Sequence, residues 1–221
     1  MAPLAQLLKH NIETWSAELQ RTSALGHLAR RGELSPRGFA VYIESVRYLL
    51  EQSELNLTNA RERARALQDK ALTRHLERKS SEERDHASWA VDDLTKVPAE
   101  ARSSVRPAKH MLALIELQKR LIDIHPICFM AYALWAEYFT VLISDYWLDA
   151  LALSGYGAGH VTAISKHVER DRDHAALALQ EIDDIWDGTP DLVTIVEGVA
   201  EASRIWEQFC DEVCETASQA A

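Results

Sequence analysis

Apolar residues recur at three- and four-residue spacing over most of the chain, the period of a helix with one buried face. Leu4, Leu7, Leu8, Ile12, Trp15 and Leu19 set this pattern in a first helix from about Pro3 to Leu25. Ser35 followed by Pro36 in "GELSPRGF" supplies an N-cap and a first helical position, launching a second helix through "FAVYIESVRYLLEQSELNL". A third is expected over "QDKALTRHLERKSSEERDHASWAVDDLTKV", parted from the second near Leu67 and stopped at Pro98. The fourth runs from about Ala99 to Ile124, and Pro126 opens an apolar fifth. After the glycine-rich turn "SGYGAGH" comes a sixth, "VTAISKHVERDRDHAALALQEIDDIW"; "DGTPD" separates it from a seventh, about Leu192 to Ser218. The pattern predicts an all-α protein of about seven helices in a single domain, 1–221, without an internal repeat.

Composition agrees with that reading. Glycine and proline, at 8 and 6, are too sparse for the closely spaced turns of an all-β chain. With 221 residues, 47% hydrophobic and 26% charged, the chain can bury one sizeable core. Its net charge of −10, with Lys and Arg scattered, argues against a nucleic-acid partner. "MAPLAQLLKHNIETW" reads as an amphipathic helix rather than a secretory signal, so a cytoplasmic protein is expected. Cys128, Cys210 and Cys214 suggest neither a disulfide framework nor a zinc site.

Pro126 to Ser144, "PICFMAYALWAEYFTVLIS", has nearly the length and apolarity of a bilayer span. It carries Glu137 at its middle, and its flanks hold Asp123, His125, Asp145 and Asp149 instead of basic residues. A buried central helix bearing one acid, with no membrane partner, is the expectation. An ionised carboxylate there must be protonated, paired or bound to metal, because burying it alone is prohibitive.

That acid directs attention to "HVERDRDH" in the sixth helix. At about 100° per residue, Asp171 lies about 40° and His174 about −20° round the helix from His167. The three therefore share one side with Ile164, Ala175 and Ala178, while Glu169, Arg170, Arg172 and Asp173 fall mostly away from it. In the third helix, "SSEERDHASW" places Glu83 three and Glu82 four residues before His86, on one face, with Trp89 a turn further. Imidazole nitrogen and carboxylate oxygen are the usual protein ligands of non-haem iron. Glu83, His86, Glu137, His167, Asp171 and His174 are the candidate metal ligands. Two divalent ions would set four positive charges against the carboxylates of Glu83, Glu137 and Asp171, leaving room for an oxygen-derived anion.

On "EERDHASW", on Glu137 in "AYALWAEYF", and on "HVERDRDHA" after "SGYGAGH", the sequence resembles the haem-oxygenase-like di-iron oxidases. These are the non-haem branch of the superfamily that includes haem oxygenase, the TenA thiaminases and the PQQ-synthesis protein PqqC. The resemblance covers nearly the whole chain in helix order, including the spacing of 30 between Glu137 and His167. It implies a haem-oxygenase-like bundle holding two ferrous ions per chain, with O2 as co-substrate and an external reductant. Glu83 and His86 would hold one iron, His167, Asp171 and His174 the other, and Glu137 would bridge or cap them.

The implied reaction is oxidation of a small molecule: N-oxygenation, oxidative C–C cleavage or a related step. Some members place the first carboxylate seven residues before the histidine, where this sequence has Lys79, so Glu83 is expected in that role with Glu82 as substitute. Glu44 in "VYIESVRYL" is the candidate for a further carboxylate from an early helix. Tyr42, Phe129, Tyr132, Trp135 and Tyr138 are the expected pocket walls, and a homodimer is the default assembly.

Three alternatives remain at this level. A haem-binding relative would use His10 or His27 as its iron ligand, and a metal-free thiaminase-like enzyme would use Cys128 as nucleophile. A helical scaffold without catalysis would disperse the candidate ligands and pair Glu137 with an arginine.

Overall fold

The protein's structure, a computed structural model, describes residues 3–219, and among these it forms ten helices and no strand. The additional helices arise where expected long ones divide. The first becomes α1 (Leu4–Thr22) and α2 (Ala24–Arg30), parted at Ser23, whose Oγ accepts from the Gly26 amide at 3.1 Å. The second is continuous, α3 (Pro36–Ala66), and Ser35 caps it as expected, accepting from the Gly38 amide at 3.3 Å.

Division of the third helix matters most. Helix α4 (Lys70–Glu82) ends before the motif is complete, and α5 (Ala87–Thr95) begins just after His86. Asp85 between them is left-handed at φ 63, and its amide donates to Glu54 Oε1 on α3 at 2.7 Å. The contact to α3 supplies what continued helix would have given that amide, and the bend turns His86 inward. The expected fourth helix splits into α6 (Ala99–Arg102) and α7 (Lys109–Ile124) around Pro107, which has no amide hydrogen to donate and disfavours helical backbone before it.

The remaining helices are α8 (Pro126–Leu153), α9 (Thr162–Ile185) and α10 (Leu192–Gln219). His125 caps α8, its Nδ1 accepting from the Ile127 amide at 3.2 Å. Helix α8 is long and apolar enough to cross a membrane by length and composition. Here it is the axis of the bundle, packed by α1, α2, α7, α9 and α10, with Phe129, Leu134, Trp135 and Phe139 buried. Helices α3 and α10 cross where Gly38 meets Ala217, so closely that a Cβ at Gly38 would overlap the Ala217 side chain.

Helix α9 is pinned to α5 by a fully buried acid. Asp93 Oδ2 accepts from the Ala163 amide at 2.8 Å, capping the first turn of α9, and its Oδ1 takes Lys96 Nζ at 2.8 Å. This bond sets the axial position of His167 relative to His86.

Candidate metal centre

The centre forms where the end of α4 and the α4–α5 bend meet the middle of α8 and the first half of α9. Two groups of potential ligand atoms lie there side by side and share Glu83: Glu83, His86 and His167 form one, and Glu83, Glu137 and His174 the other. The five residues come from three separate stretches of chain, brought together by the packing of α4, α8 and α9.

In the first group the side chains orient one another. His167 Nδ1 donates to the Ala163 carbonyl at 2.6 Å, leaving the Nε2 lone pair aimed into the site. Burial holds His167 below the usual histidine range and keeps it neutral. His86 Nδ1 lies 2.9 Å from Glu83 Oε2 and 3.1 Å from His167 Nε2. Trp89 stacks on the His86 ring at 4.2 Å and meets His167 edge-on. Glu83 is held below the usual carboxylate range: burial opposes this, but the bond from His86 and the charge of Lys79 outweigh it.

The second group is already occupied by a cation. Lys79, only 6% exposed, is ion-paired with Glu137 and sits 3.3 Å from Glu82 Oε2 and 3.8 Å from Glu83 Oε1. Burial works against its ammonium, yet the carboxylates of Glu137, Glu83 and Glu82 win and raise it above the usual lysine range. Glu137 is 7% exposed; burial lifts it to about 7 despite Lys79. Its Oε2 has no hydrogen-bond partner, nor does His174 Nδ1. His174 Nε2 lies 3.8 Å from Glu82 Oε2.

Asp171 is 4% exposed and belongs to neither group, with its Oδ1 3.9 Å from His174 Nδ1. Burial, reinforced by Glu137 and Glu83, pushes its carboxyl up to about 9, so it is protonated at neutral pH. Glu82 touches Lys79 and His174 from the outer side. Glu44 is turned away, in a two-bonded pair with Arg47 at 2.8 Å.

The residues fit one metal ion. Glu83, His86 and His167 offer a carboxylate and two imidazoles from one side, the set that suits ferrous iron with open positions. A second ion among Glu83, Glu137 and His174 would have to displace the Lys79 ammonium from Glu137. Arg170 also departs from the helical-phase expectation. Although its residue is exposed, its guanidinium folds over Trp89 and Nη1 donates to His86 Nε2 at 3.0 Å. Lys79 enters the sequence reading only as a departure from the motif, and Arg170 only as an outward charge, because neither tip is fixed by helical phase.

A cavity of about 160 Å³ opens from this centre between α3, α8 and α9. Its polar end holds Lys79, Glu83, Glu137, His167 and Asp171; its walls are Val46, Leu49 and Leu50 of α3 and the aromatic side of α8. Tyr42, Phe129, Tyr132 and Trp135 line it. Tyr138 does not: one position round the helix, it faces α1, and its hydroxyl donates to Glu13 Oε1 at 2.6 Å. Both lining tyrosine hydroxyls accept a hydrogen bond, Tyr42 from Trp147 Nε1 at 2.8 Å and Tyr132 from Gln118 Nε2 at 2.9 Å. Both phenols are pushed above their usual range by burial.

Of the other histidines and cysteines considered, His10 is exposed, and His27 Nε2 is engaged by the Arg21 carbonyl at 3.0 Å on the surface. Cys128 is buried, and burial raises its thiol to about 12, which suppresses the thiolate a nucleophile needs. Glu137 has the ion-pair partner that a scaffold would give it, with Lys79 in place of an arginine, whereas five of the six candidate ligands are gathered rather than dispersed.

The chain superposes over most of its length on a domain of unknown function with a haem oxygenase-like fold from Shewanella denitrificans. The TM-score is 0.82 at 17% identity, over 94% of this chain and 90% of that one. A TenA homologue from Pseudomonas syringae pv. tomato matches with a TM-score of 0.75 at 16% identity, over 96% and 93%. This protein therefore has the haem-oxygenase-like all-α fold. No family model and no curated protein matches it in sequence.

Proposed function

We propose that the protein is a non-haem iron oxidase or oxygenase that uses O2 on a small, largely apolar molecule. The observation that carries this reading is the open triad of Glu83, His86 and His167, facing an apolar cavity and oriented by bonds from outside it. Bound there, ferrous iron would supply O2 activation, a chemistry that side chains alone do not offer. The two-iron arrangement implied by the resemblance divides these residues differently, with Glu83 and His86 on one iron and His167, Asp171 and His174 on the other; here His167 groups with Glu83 and His86, Asp171 joins neither group, and Lys79 stands beside Glu137.

The chain's own residues would bind and orient the substrate. A cavity of about 160 Å³ is close to the roughly 150 Å³ apolar cavity that accepts benzene, so the body fits one aromatic ring or a short alkyl chain. Phe129, Trp135, Leu49 and Leu50 exclude water from that body. At the polar end the Lys79 ammonium can receive an anionic or carbonyl oxygen, and protonated Asp171 can donate a hydrogen bond or proton to it. A carboxylate or carbonyl head on an apolar body matches this layout.

The test is anaerobic ferrous titration, followed by O2 uptake in the presence of short aryl and alkyl acids. Iron binding lost in a His86→Ala, His167→Ala double variant, together with substrate-stimulated O2 uptake, is the expected result. Iron binding no stronger in the native protein than in the double variant would end the proposal.

One observation favours a second reading, a metal-free acid–base enzyme. Arg170 Nη1 donating to His86 Nε2 requires the proton on His86 Nδ1, facing Glu83, which closes the network without an ion. Glu137 and Asp171 would then serve as base and acid beside the cavity. Retained turnover of a substrate under chelation and without O2 would select that reading.

A further inference from the structure

The shared carboxylate of Glu83 joins one ligand group that is open and one that is filled by a side chain. Lys79 reaches that second group from the last turn of α4, and it is deeply buried there. Its ammonium is bonded to Glu137 and lies 3.3 Å from Glu82 Oε2 and 3.8 Å from Glu83 Oε1. A metal ion held by Glu83, Glu137 and His174 would occupy the same small volume, since those ligand atoms all lie within 4.8 Å of one another.

Charge makes the same point. Lys79 and one divalent ion bring three positive charges, and the contacting carboxylates Glu82, Glu83 and Glu137 bring three negative ones. Adding a second dication beside a retained ammonium would leave two positive charges uncompensated in a site from which water is largely excluded. Withdrawing the ammonium would cost its three carboxylate contacts. The remaining donors of the second group are left incomplete: Glu137 Oε2 and His174 Nδ1 are buried and unpartnered.

We infer that Lys79 is a built-in cation standing in the second metal position, so that the centre binds one metal ion per chain and excludes a second. The inference rests on the iron-binding reading above and deepens it. Lys79 is a positioning residue for the cluster: it fixes Glu137 and sets the charge of the site. Removing its charge opens the second group to an ion, and replacing it by a carboxylate adds a ligand where one is lacking.

The experiment is ferrous stoichiometry by anaerobic titration and metal analysis after desalting, on the unaltered 221-residue chain and on Lys79→Glu, Lys79→Gln and Lys79→Arg. Circular dichroism monitors folding. One iron per chain is expected in the native protein and in Lys79→Arg, and two in Lys79→Glu and Lys79→Gln. Should Lys79→Glu fail to fold, Lys79→Gln answers alone, because it removes the charge without adding one. Two irons in the native protein would overturn the inference while leaving the iron oxidase reading intact. So would a count that stays at one in a folded Lys79→Gln variant. No iron in any form, His86→Ala, His167→Ala control included, overturns both.

Discussion

His167 presents its Nε2 to the centre because its Nδ1 donates to the Ala163 carbonyl 2.6 Å away. The bond fixes the tautomer and the ring plane together, which is how metal-binding imidazoles are commonly held. Replacing His167 by Ala removes one donor of the open triad, and metal affinity should fall by about 100-fold or more. His167→Gln should lose nearly as much, because its amide cannot reproduce a lone pair fixed in that direction. Competition titration against a chromophoric chelator measures both. An affinity unchanged in His167→Ala would remove the triad from consideration.

Ala163 carries a second bond, from its amide to Asp93 Oδ2. Asp93→Ala would strip the cap from α9 and leave Lys96 without its buried partner, a loss of about 1–2 kcal/mol. For a chain of this length, that corresponds to a melting-temperature drop of roughly 2–8 °C. Since His167 hangs from the same turn, metal affinity should also fall by about 10-fold. A variant that loses stability but keeps full affinity would show that α9 is held in register by packing alone.

Arg170 should oppose metal binding at the proposed triad. Coordination through His86 Nδ1 moves the ring proton to Nε2, which then faces the Arg170 guanidinium donor to donor. Arg170→Met keeps an apolar stem over Trp89 and removes both the clash and a positive charge. Metal affinity should rise by up to about 10-fold, roughly 1.4 kcal/mol. Weaker binding in Arg170→Met would mean that the guanidinium supports the loaded site instead.

Stability of the metal-free protein should fall as pH rises. Burial first, then Glu137 and Glu83, raise Asp171 from 3.8 to about 9, and burial raises Glu137 from 4.5 to about 7. In both cases the folded form holds the proton more tightly than the unfolded chain. The stabilising contribution is complete below the unfolded values and is lost progressively up to about pH 7 for Glu137 and about pH 9 for Asp171. Above neutrality the buried histidines, held below their usual range, no longer titrate, so melting temperatures of metal-free protein between pH 7 and 9 should decline by several degrees, and Asp171→Asn should flatten the slope. A rising profile across that window would contradict the assignment of Asp171 as a buried neutral acid. Metal binding runs the other way and tightens with pH, since it requires deprotonated donors.

Cavity filling separates substrate binding from the metal centre. Ala133 lines the cavity one helical turn before Glu137. In Ala133→Leu the added carbons should occupy part of the space and weaken a ring-sized substrate about 10-fold in KM, with metal stoichiometry unchanged. Equal losses of metal and substrate would instead indicate a disturbed α8.

Much of the fold was legible in the chain because burial and helical phase are local properties. The 3.6-residue period predicted an all-α bundle, Ser35 and Pro36 marked the start of α3, and Glu137 stood out as an acid in an apolar helix. The phase of "HVERDRDH" separated Asp171, which is buried, from the exposed Glu169, Arg172 and Asp173. The divisions were harder to read. The α4–α5 bend depends on the Glu54 carboxylate of α3 taking the Asp85 amide, a partner 31 residues away.

What the sequence determined by itself was therefore a set of helices and a short roster of ionisable residues facing inward. Tertiary structure decided which of them meet. Glu83 joins both ligand groups, Glu44 joins neither, and the tip of Lys79 lies among three acids, one at the end of α4, one in the bend after it and one on α8. The reason is the reach of long side chains: helical phase fixes where a Cβ points, but a lysine or arginine terminus can travel several ångströms beyond it. Its final position answers to whichever opposite charge the packing of other helices has brought within range. For Lys79 that charge is Glu137, an acid that could not have been buried alone.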